Sequence, residues 1–390
     1  MNKLIIIGNG FDLAHGHATR YTDFILWLVK DELKKLYELK TYDAFIENPL
    51  FTCVSNRQVN ITSDIEVYLD KNILDIIERG VIEYVPQMIF SGSFENRVVN
   101  YDKFTINTID DFGRLLLKST CENWVDIEHT YYKSLKNILN INLKNPNSDC
   151  KELVSILNAQ LSYLCGRLKE YLSLIGEKVV VSEFKEQLNR SIDYKELFKP
   201  RDWEEISEID FDELHLNCKT LILNFNYTDT VEQYFNGNDS VHVNYIHGSI
   251  TDPENPMIFG YGDELDDDFL IMEKQEIKGF LEHAKSLWYL RTRNYHNLIR
   301  FIESDYYQVQ IIGHSCGRSD RTLLNTVFEH DNCNSVDIYY RKRSDGTDSF
   351  NEISEEVSRQ FKDKQKLRKR VLPKSSLNII PQAAVEEELC

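Results

Sequence analysis

Four consecutive aliphatic residues, Leu4-Ile5-Ile6-Ile7, run directly into Gly8-Asn9-Gly10-Phe11-Asp12. A strand that is apolar at every position, rather than every second one, must be covered on both faces. That is the condition of a parallel strand with helices on either side. A glycine at its end lets the chain turn sharply into a helix, whose first N–H groups and positive dipole end suit an anion. The feature predicts the first strand of a Rossmann-like α/β sheet, with the turn as a nucleotide-binding loop. On the motif alone, a plain glycine turn leaving a strand is an equal alternative. The full G-x-G-x-x-G fingerprint is absent because position 13 is Leu, and no G-K-[ST] ending marks a P-loop.

The rest of the chain fits that class. Helical periodicity begins at Thr22-Asp23 before Phe24–Val29. From about 60 to 215 the pattern is mainly helical, with apolar residues at three- and four-residue spacing in Ile65–Ile77, Phe112–Leu117, Trp124–Leu139 and Glu152–Leu174. Val179-Val180-Val181 is open to a short strand, and Asn145-Pro146-Asn147-Ser148 to a turn. Strand signals return at Thr220–Leu223, Val241–Ile246, Met257–Phe259, Tyr307–Ile312 and Val336–Tyr340, with helical segments between several of them. The expected fold is α/β, a Rossmann-like parallel sheet with a large inserted helical layer or subdomain. In domain terms, an α/β domain spans 1–345 with the helical insertion at about 60–215, and a C-terminal helix and flexible tail span 346–390. The basic run Lys362–Arg370 in that tail reads as a solvated helix end.

Four strands end in small or polar residues: Gly8-Asn9-Gly10, Asn224 to Asn226, His247-Gly248-Ser249 and Gly313-His314-Ser315. In an open α/β sheet the ligand crevice lies outside the carboxyl ends of the strands, so these segments are expected to converge. Gly16, in His15-Gly16-His17, suits a second tight bend near the same site. His15 and His17 raise a metal reading, but at i and i+2 they point apart on a helix, and no metal site is expected. Asn226 can bond a ribose hydroxyl or orient a water, while Thr228 or Asp229 caps a helix over Thr230–Phe235. His247 is a candidate general base, with a turn histidine bonded to backbone as the alternative. Gly248 would let a ligand come close. Gly313-His314-Ser315-Cys316-Gly317 matches the nucleophile elbow G-x-S-x-G. A triad would then need Asp320 and His330, which fall on or near the elbow's own helix. A glycine-rich turn closing a nucleotide site, with Asp320 or Arg318 near the ligand, fits better.

Composition bounds the function. The formal net charge of −18 repels a nucleic-acid backbone, so nucleic acid is not an expected partner, whereas a small anion held by backbone N–H groups is compatible with it. An aromatic share of 12% argues against disorder. The cysteines at 53, 121, 150, 165, 218, 316, 333 and 390 form no C-x-x-C pair and fit reduced thiols of a cytosolic protein. The apolar run at the N-terminus is shorter than the about 7–15 residues of a signal sequence, and no stretch approaches the ~18 residues of a membrane span. A cytoplasmic location without membrane association is expected.

Taken in order, the I-I-I-G-N-G-F-D-L-A-H-G segment, Trp124-Val125-Asp126-Ile127-Glu128, N-F-N-Y-T-D, I-H-G-S and I-I-G-H-S with Asp320 resemble the AbiH family of bacterial phage abortive-infection proteins over roughly residues 4–330. That family in turn resembles, distantly, the sirtuin-like superfamily of antiphage defence, whose NAD site is built from a G-A-G-A-S loop, a T-N-Y-D segment, an H-G pair and a late G-x-S with Asp. The resemblance implies a phosphate loop at Gly8, Asn9 and Gly10, extended here to Phe11, Asp12 and Gly16. It implies catalytic Asn226 and His247, and further contacts from Gly248, Gly313, Ser315 and Asp320. Asn9, Phe11 and Asp12 depart from the small residues of that loop, and Thr228 stands where T-N-Y-D has aspartate. The zinc-binding cysteines of sirtuins have no counterpart, which argues against deacylation.

The implied function is an abortive-infection effector that binds NAD, as substrate or ligand, or a related nucleotide, and hydrolyses it, with Asp12 or the pair Asp126 and Glu128 steadying the positive ribose. The alternatives are a non-catalytic nucleotide-sensing module acting through a partner, and a nuclease or RNA-targeting toxin, which the net charge disfavours. The expected partners are a small-molecule nucleotide and a phage-derived trigger, with room for a homo-oligomer.

Overall fold

The computed structural model describes residues 1–39, 45–55, 65–82, 104–117, 124–145, 149–176, 180–190, 218–235, 240–262, 264, 266–275 and 277–383. Pro146 to Ser148 and Val179 of the sequence reading lie outside these residues. Val180 and Val181 form no strand, and Val181 instead precedes a helix at Ser182–Asn189. The chain divides into two compact units, one made of Met1–Thr19, Leu172–Glu276 and His283–Cys390, the other of Arg20–Tyr171 and Ile277–Glu282.

The first unit holds a five-stranded sheet. In chain order its strands are β1 (Asn2–Ile7), β5 (Thr220–Asn224), β6 (Val241–Tyr245), β7 (Tyr307–Ile312) and β8 (Cys333–Ile338), the numbers 2 to 4 belonging to the other unit. They lie in the order β6-β5-β1-β7-β8 and every pair is parallel. Counted among themselves, the five run 3-2-1-4-5, the doubly wound order whose direction reverses beside the first strand, between β1 and β7.

The sequence explains why β1 is central. Leu4 and Ile6 enter one core, Ile5 and Ile7 the other, because successive side chains alternate across a strand. The Leu4 side is covered by α10 (Asn294–Ser304), α11 (Arg321–Glu329) and α12 (Phe350–Gln360), through Leu298, Ile302, Leu324, Phe328 and Val357. The Ile5 side is covered by α1 (Asn9–Ala14), α7 (Ser182–Asn189) and a 3-10 turn (Thr230–Tyr234), through Phe11, Phe184 and Tyr234. Strand β6 is an edge, and its exposed His242 fits that place.

Two sequence expectations change here. Met257–Phe259 is not a sheet strand. It is an extended segment whose Ile258 N–H bonds the His247 carbonyl at 2.7 Å, and the pairing continues only as an isolated bridge from Tyr261 to Ala284. The basic run forms α13 (Lys364–Arg370) and is anchored. Arg370 is buried and donates to the Phe328 carbonyl, while Lys366 reaches the Glu329 carbonyl and Asp331. Beyond it, Ile380 enters the core and the Ala383 N–H bonds the Ala14 carbonyl.

The second unit contains the expected helices α2 (Tyr21–Glu38), α3 (Ile65–Ile82), α4 (Asp111–Leu117), α5 (Trp124–Lys144) and most of α6 (Cys150–Ser173). It also contains an antiparallel sheet, β2 (Phe45–Glu47), β3 (Phe51–Ser55) and β4 (Phe104–Thr108); β4 falls in the stretch expected to be mainly helical, while β2 and β3 precede it. Among the described residues, the first unit also holds the helices α8 (Asp267–Lys274) and α9 (Lys285–Trp288).

Candidate functional site

The turn after β1 is spent on the turn after β7. A Cβ on Gly10 would meet the Gly313 Cα and carbonyl oxygen at 2.8 Å, and one on Gly8 would meet the His314 Cα at 2.7 Å. Gly313 adopts a φ of +70°, and a Cβ there would lie 2.3 Å from the Phe11 nitrogen. The Gly10 N–H donates to the Gly313 carbonyl at 2.8 Å. These glycines let two strand ends at the switch point touch backbone to backbone. The face in front of Gly248 is likewise filled, by the Pro256 carbonyl at 2.1 Å from a Cβ position, so this glycine opens no approach for a ligand.

Two other residues expected near a ligand have structural work. Phe11 is fully buried among His15, Phe184 and Tyr234. Gly16, at φ +81°, ends α1: its N–H bonds the Leu13 carbonyl and that of His17 bonds the Asp12 carbonyl, the paired closure of a helix by a left-handed glycine. His15 uses both ring nitrogens in the core, on the Phe11 carbonyl and the Tyr234 hydroxyl.

Strand β5 delivers a polar turn against the same place. The Asn226 side-chain amide donates to the Gly8 carbonyl at 3.1 Å, and its backbone N–H is held by Asn224 Oδ1 at 3.0 Å. Thr228 caps nothing. Its hydroxyl donates to Asp12 Oδ2 at 2.6 Å, and the residue preceding the 3-10 turn is Asp229, which makes no side-chain cap bond. Asp12 is buried, and among the described residues its Oδ1 has no partner. Burial raises this carboxyl to about 6, against the Thr228 hydrogen bond, because water no longer solvates its charge.

Strands β6 and β7 supply the charged half. Asp320, in the turn before α11, receives a hydrogen bond from Lys285 Nζ at 2.8 Å on Oδ1. His247 Nε2 lies 3.2 Å from the same oxygen and 3.1 Å from the Tyr289 hydroxyl. His314 Nε2 stands 3.8 Å from Asp320 Oδ2. Lys285, His247, Tyr289, His314 and Asp320 are all buried. Burial opposes ionisation of Asp320, but the Lys285 charge first, aided by the His247 hydrogen bond, outweighs it and holds the carboxyl well below its usual range. His314 is pushed down to about 4 by burial, so it is neutral, and its Nδ1 accepts the Cys316 N–H at 3.0 Å, leaving the proton on Nε2. The Phe225 ring, next to Asn226, packs on both His247 and His314.

The G-x-S-x-G turn is no nucleophile elbow. Its strained residue is Cys316, at φ 55°, whose buried side chain lies in the core and whose thiol burial pushes up. Gln360 holds its carbonyl. Ser315 is exposed and Asn9 half-buried at the rim.

The four strand ends thus meet, through Asn226 on Gly8, Thr228 on Asp12, Gly10 on Gly313, and His247 on Asp320. Asp126 and Glu128 lie on α5 in the other unit. Lys285 and Tyr289 were not predicted: they sit in a stretch whose pattern only signals a helix. Tyr261 and His283 bring them in, since Tyr261 N–H bonds the His283 carbonyl and Lys285 N–H bonds that of Tyr261.

Fold and site together define a doubly wound α/β protein with a buried Asp-His-Lys cluster at the strand ends. A family model described as bacteriophage abortive infection AbiH matches residues 4–341. The chain belongs to the AbiH family, and the role that family indicates is defence against phage by abortive infection. Searches of curated proteins and of solved structures gave no match. Among the described residues no helix is long and apolar enough to cross a membrane.

Proposed function

We propose that this abortive-infection protein binds NAD or a related nucleotide at the meeting of the strand ends and hydrolyses the bond between nicotinamide and ribose. The observation that carries the proposal is the His247–Asp320 contact at the carboxyl edge of a 3-2-1-4-5 parallel sheet. A histidine that donates one ring N–H to a carboxylate keeps the other nitrogen available to take a proton.

In this reaction the ribose C1′–N bond breaks, water oxygen bonds C1′, and the water proton passes to His247. Nicotinamide leaves as a neutral base, so positioning and electrostatics carry the rate. Asn226 orients the ribose or the water. Asp12 Oδ1, an acceptor lacking a donor, suits a ribose hydroxyl. The Cβ-less faces of Gly8 and Gly10 are covered by Gly313 and His314, so the phosphates fall to Asn9 and Ser315 at the rim.

The test is chromatography of NAD incubated with the purified protein, with and without phage lysate. Nicotinamide release is expected, and His247→Ala should lower it by ~10²–10⁴-fold. Absence of release in both conditions contradicts hydrolysis. Calorimetric binding of ADP-ribose without release would leave a nucleotide sensor.

A further inference from the structure

We infer that Lys285 is a positioning residue that keeps His247 neutral and in the Nε2–H tautomer, by serving as the cationic partner of Asp320. The chemistry assigned to His247 rests on the function proposed above, whereas the electrostatic arrangement does not.

Lys285 Nζ and His247 Nε2 address the same oxygen, Asp320 Oδ1, at 2.8 and 3.2 Å. An ionised carboxylate only accepts, so the contact places the proton on Nε2 and the free lone pair on Nδ1. Whether His247 carries one proton or two then depends on what else balances Asp320. The groups facing it are Lys285 from α9, Tyr289 just after α9, His314 from the turn after β7, and Asp320 itself. Tyr289 offers a hydroxyl and brings no positive charge. His314 has its Nδ1 engaged by the Cys316 N–H and burial holds it neutral. Lys285 is the group that supplies the charge. Without it, the buried carboxylate would draw a second proton onto His247, and an imidazolium accepts no proton from water.

The cost of burying Lys285 points the same way. A buried ion pair contributes little net stability compared with apolar residues of similar size. Its value lies in the charge it fixes beside His247. No residue pattern reveals this, because Lys285 and His247 are brought together by the pairing of Tyr261 with His283 and Lys285.

The experiment is NMR titration of the ¹⁵N-histidine-labelled full chain without nucleotide, with the His247 signal identified by its loss in His247→Gln. At pH 7.5 the wild type should show the Nε2–H tautomer. Lys285→Met should raise the pH at which His247 titrates by about one to two units, and Asp320→Asn, with Lys285 retained, should lower it by about one unit. The double variant should return close to the wild-type value. An Nδ1–H tautomer in the wild type, or identical titration in Lys285→Met, overturns the inference. If Lys285→Met does not fold, unchanged titration in Asp320→Asn overturns it equally. Failure to cleave NAD alongside the expected titrations would refute the reaction and leave the electrostatic arrangement standing.

Discussion

The turn after β1 and the turn after β6 stand at one edge of the same sheet and use their residues in opposite ways. At the first, Gly8 and Gly10 surrender side chains so that the Gly313 backbone can approach. The result is closed, and its energy is steric. At the second, His247 keeps a full side chain and meets Tyr289 and Asp320, whose same oxygen Lys285 also holds. The result is a set of buried charges, and its energy is electrostatic. The glycine motif here therefore marks where strands join, while titratable groups gather where the ends of β6 and β7 come together. Asp12 sits between the two. It belongs to the glycine turn by sequence and to the electrostatic half by behaviour.

Substitutions can separate these regimes. The largest stability effect is expected at Gly313, where a methyl group would both clash with Phe11 backbone and occupy a left-handed φ. Gly313→Ala should cost about 3 kcal/mol or more in urea unfolding. A loss under 1 kcal/mol would show that the two turns are not tightly joined.

Asp12 comes next, with an effect of the opposite sign. Its folded value of about 6 lies above the ordinary 3.8, so the folded protein holds this proton more tightly than the unfolded chain. The associated stability is full below about pH 4 and is lost as pH rises to about 6, a cost of about 3 kcal/mol at neutral pH. Asp12→Asn should flatten unfolding free energy between pH 4 and 6 and leave the protein at least as stable as wild type at pH 7. A marked loss there would mean the carboxylate stabilises the fold instead of serving a ligand.

The smallest effect is expected at Gly16, which has open space around it and only its φ to defend. Gly16→Ala should cost about 1 kcal/mol and leave the proposed NAD cleavage per folded molecule unchanged. Loss of turnover at full folding would return Gly16 to the ligand site.

Much of this arrangement is legible in the sequence. The all-apolar run Leu4–Ile7 announces a central strand, and polar residues after Asn224, Ile246 and Ile312 announce converging strand ends. What the pattern hides is pairing. The strands β2 to β4 are three to five residues each and lack an apolar run such as Leu4–Ile7. Thr228 reads as a cap, and only the fold turns its hydroxyl onto Asp12. Lys285 is one charged residue opening a short helix, and its burial against Asp320 is a product of tertiary pairing.

Defence is expected to depend on the charged cluster at the strand ends. The direct measurement is phage plaque formation on cells carrying the wild type, His247→Gln or Asp320→Asn at matched levels of folded protein. Protection should fall by about tenfold or more in both variants. Full protection by either variant would contradict that expectation.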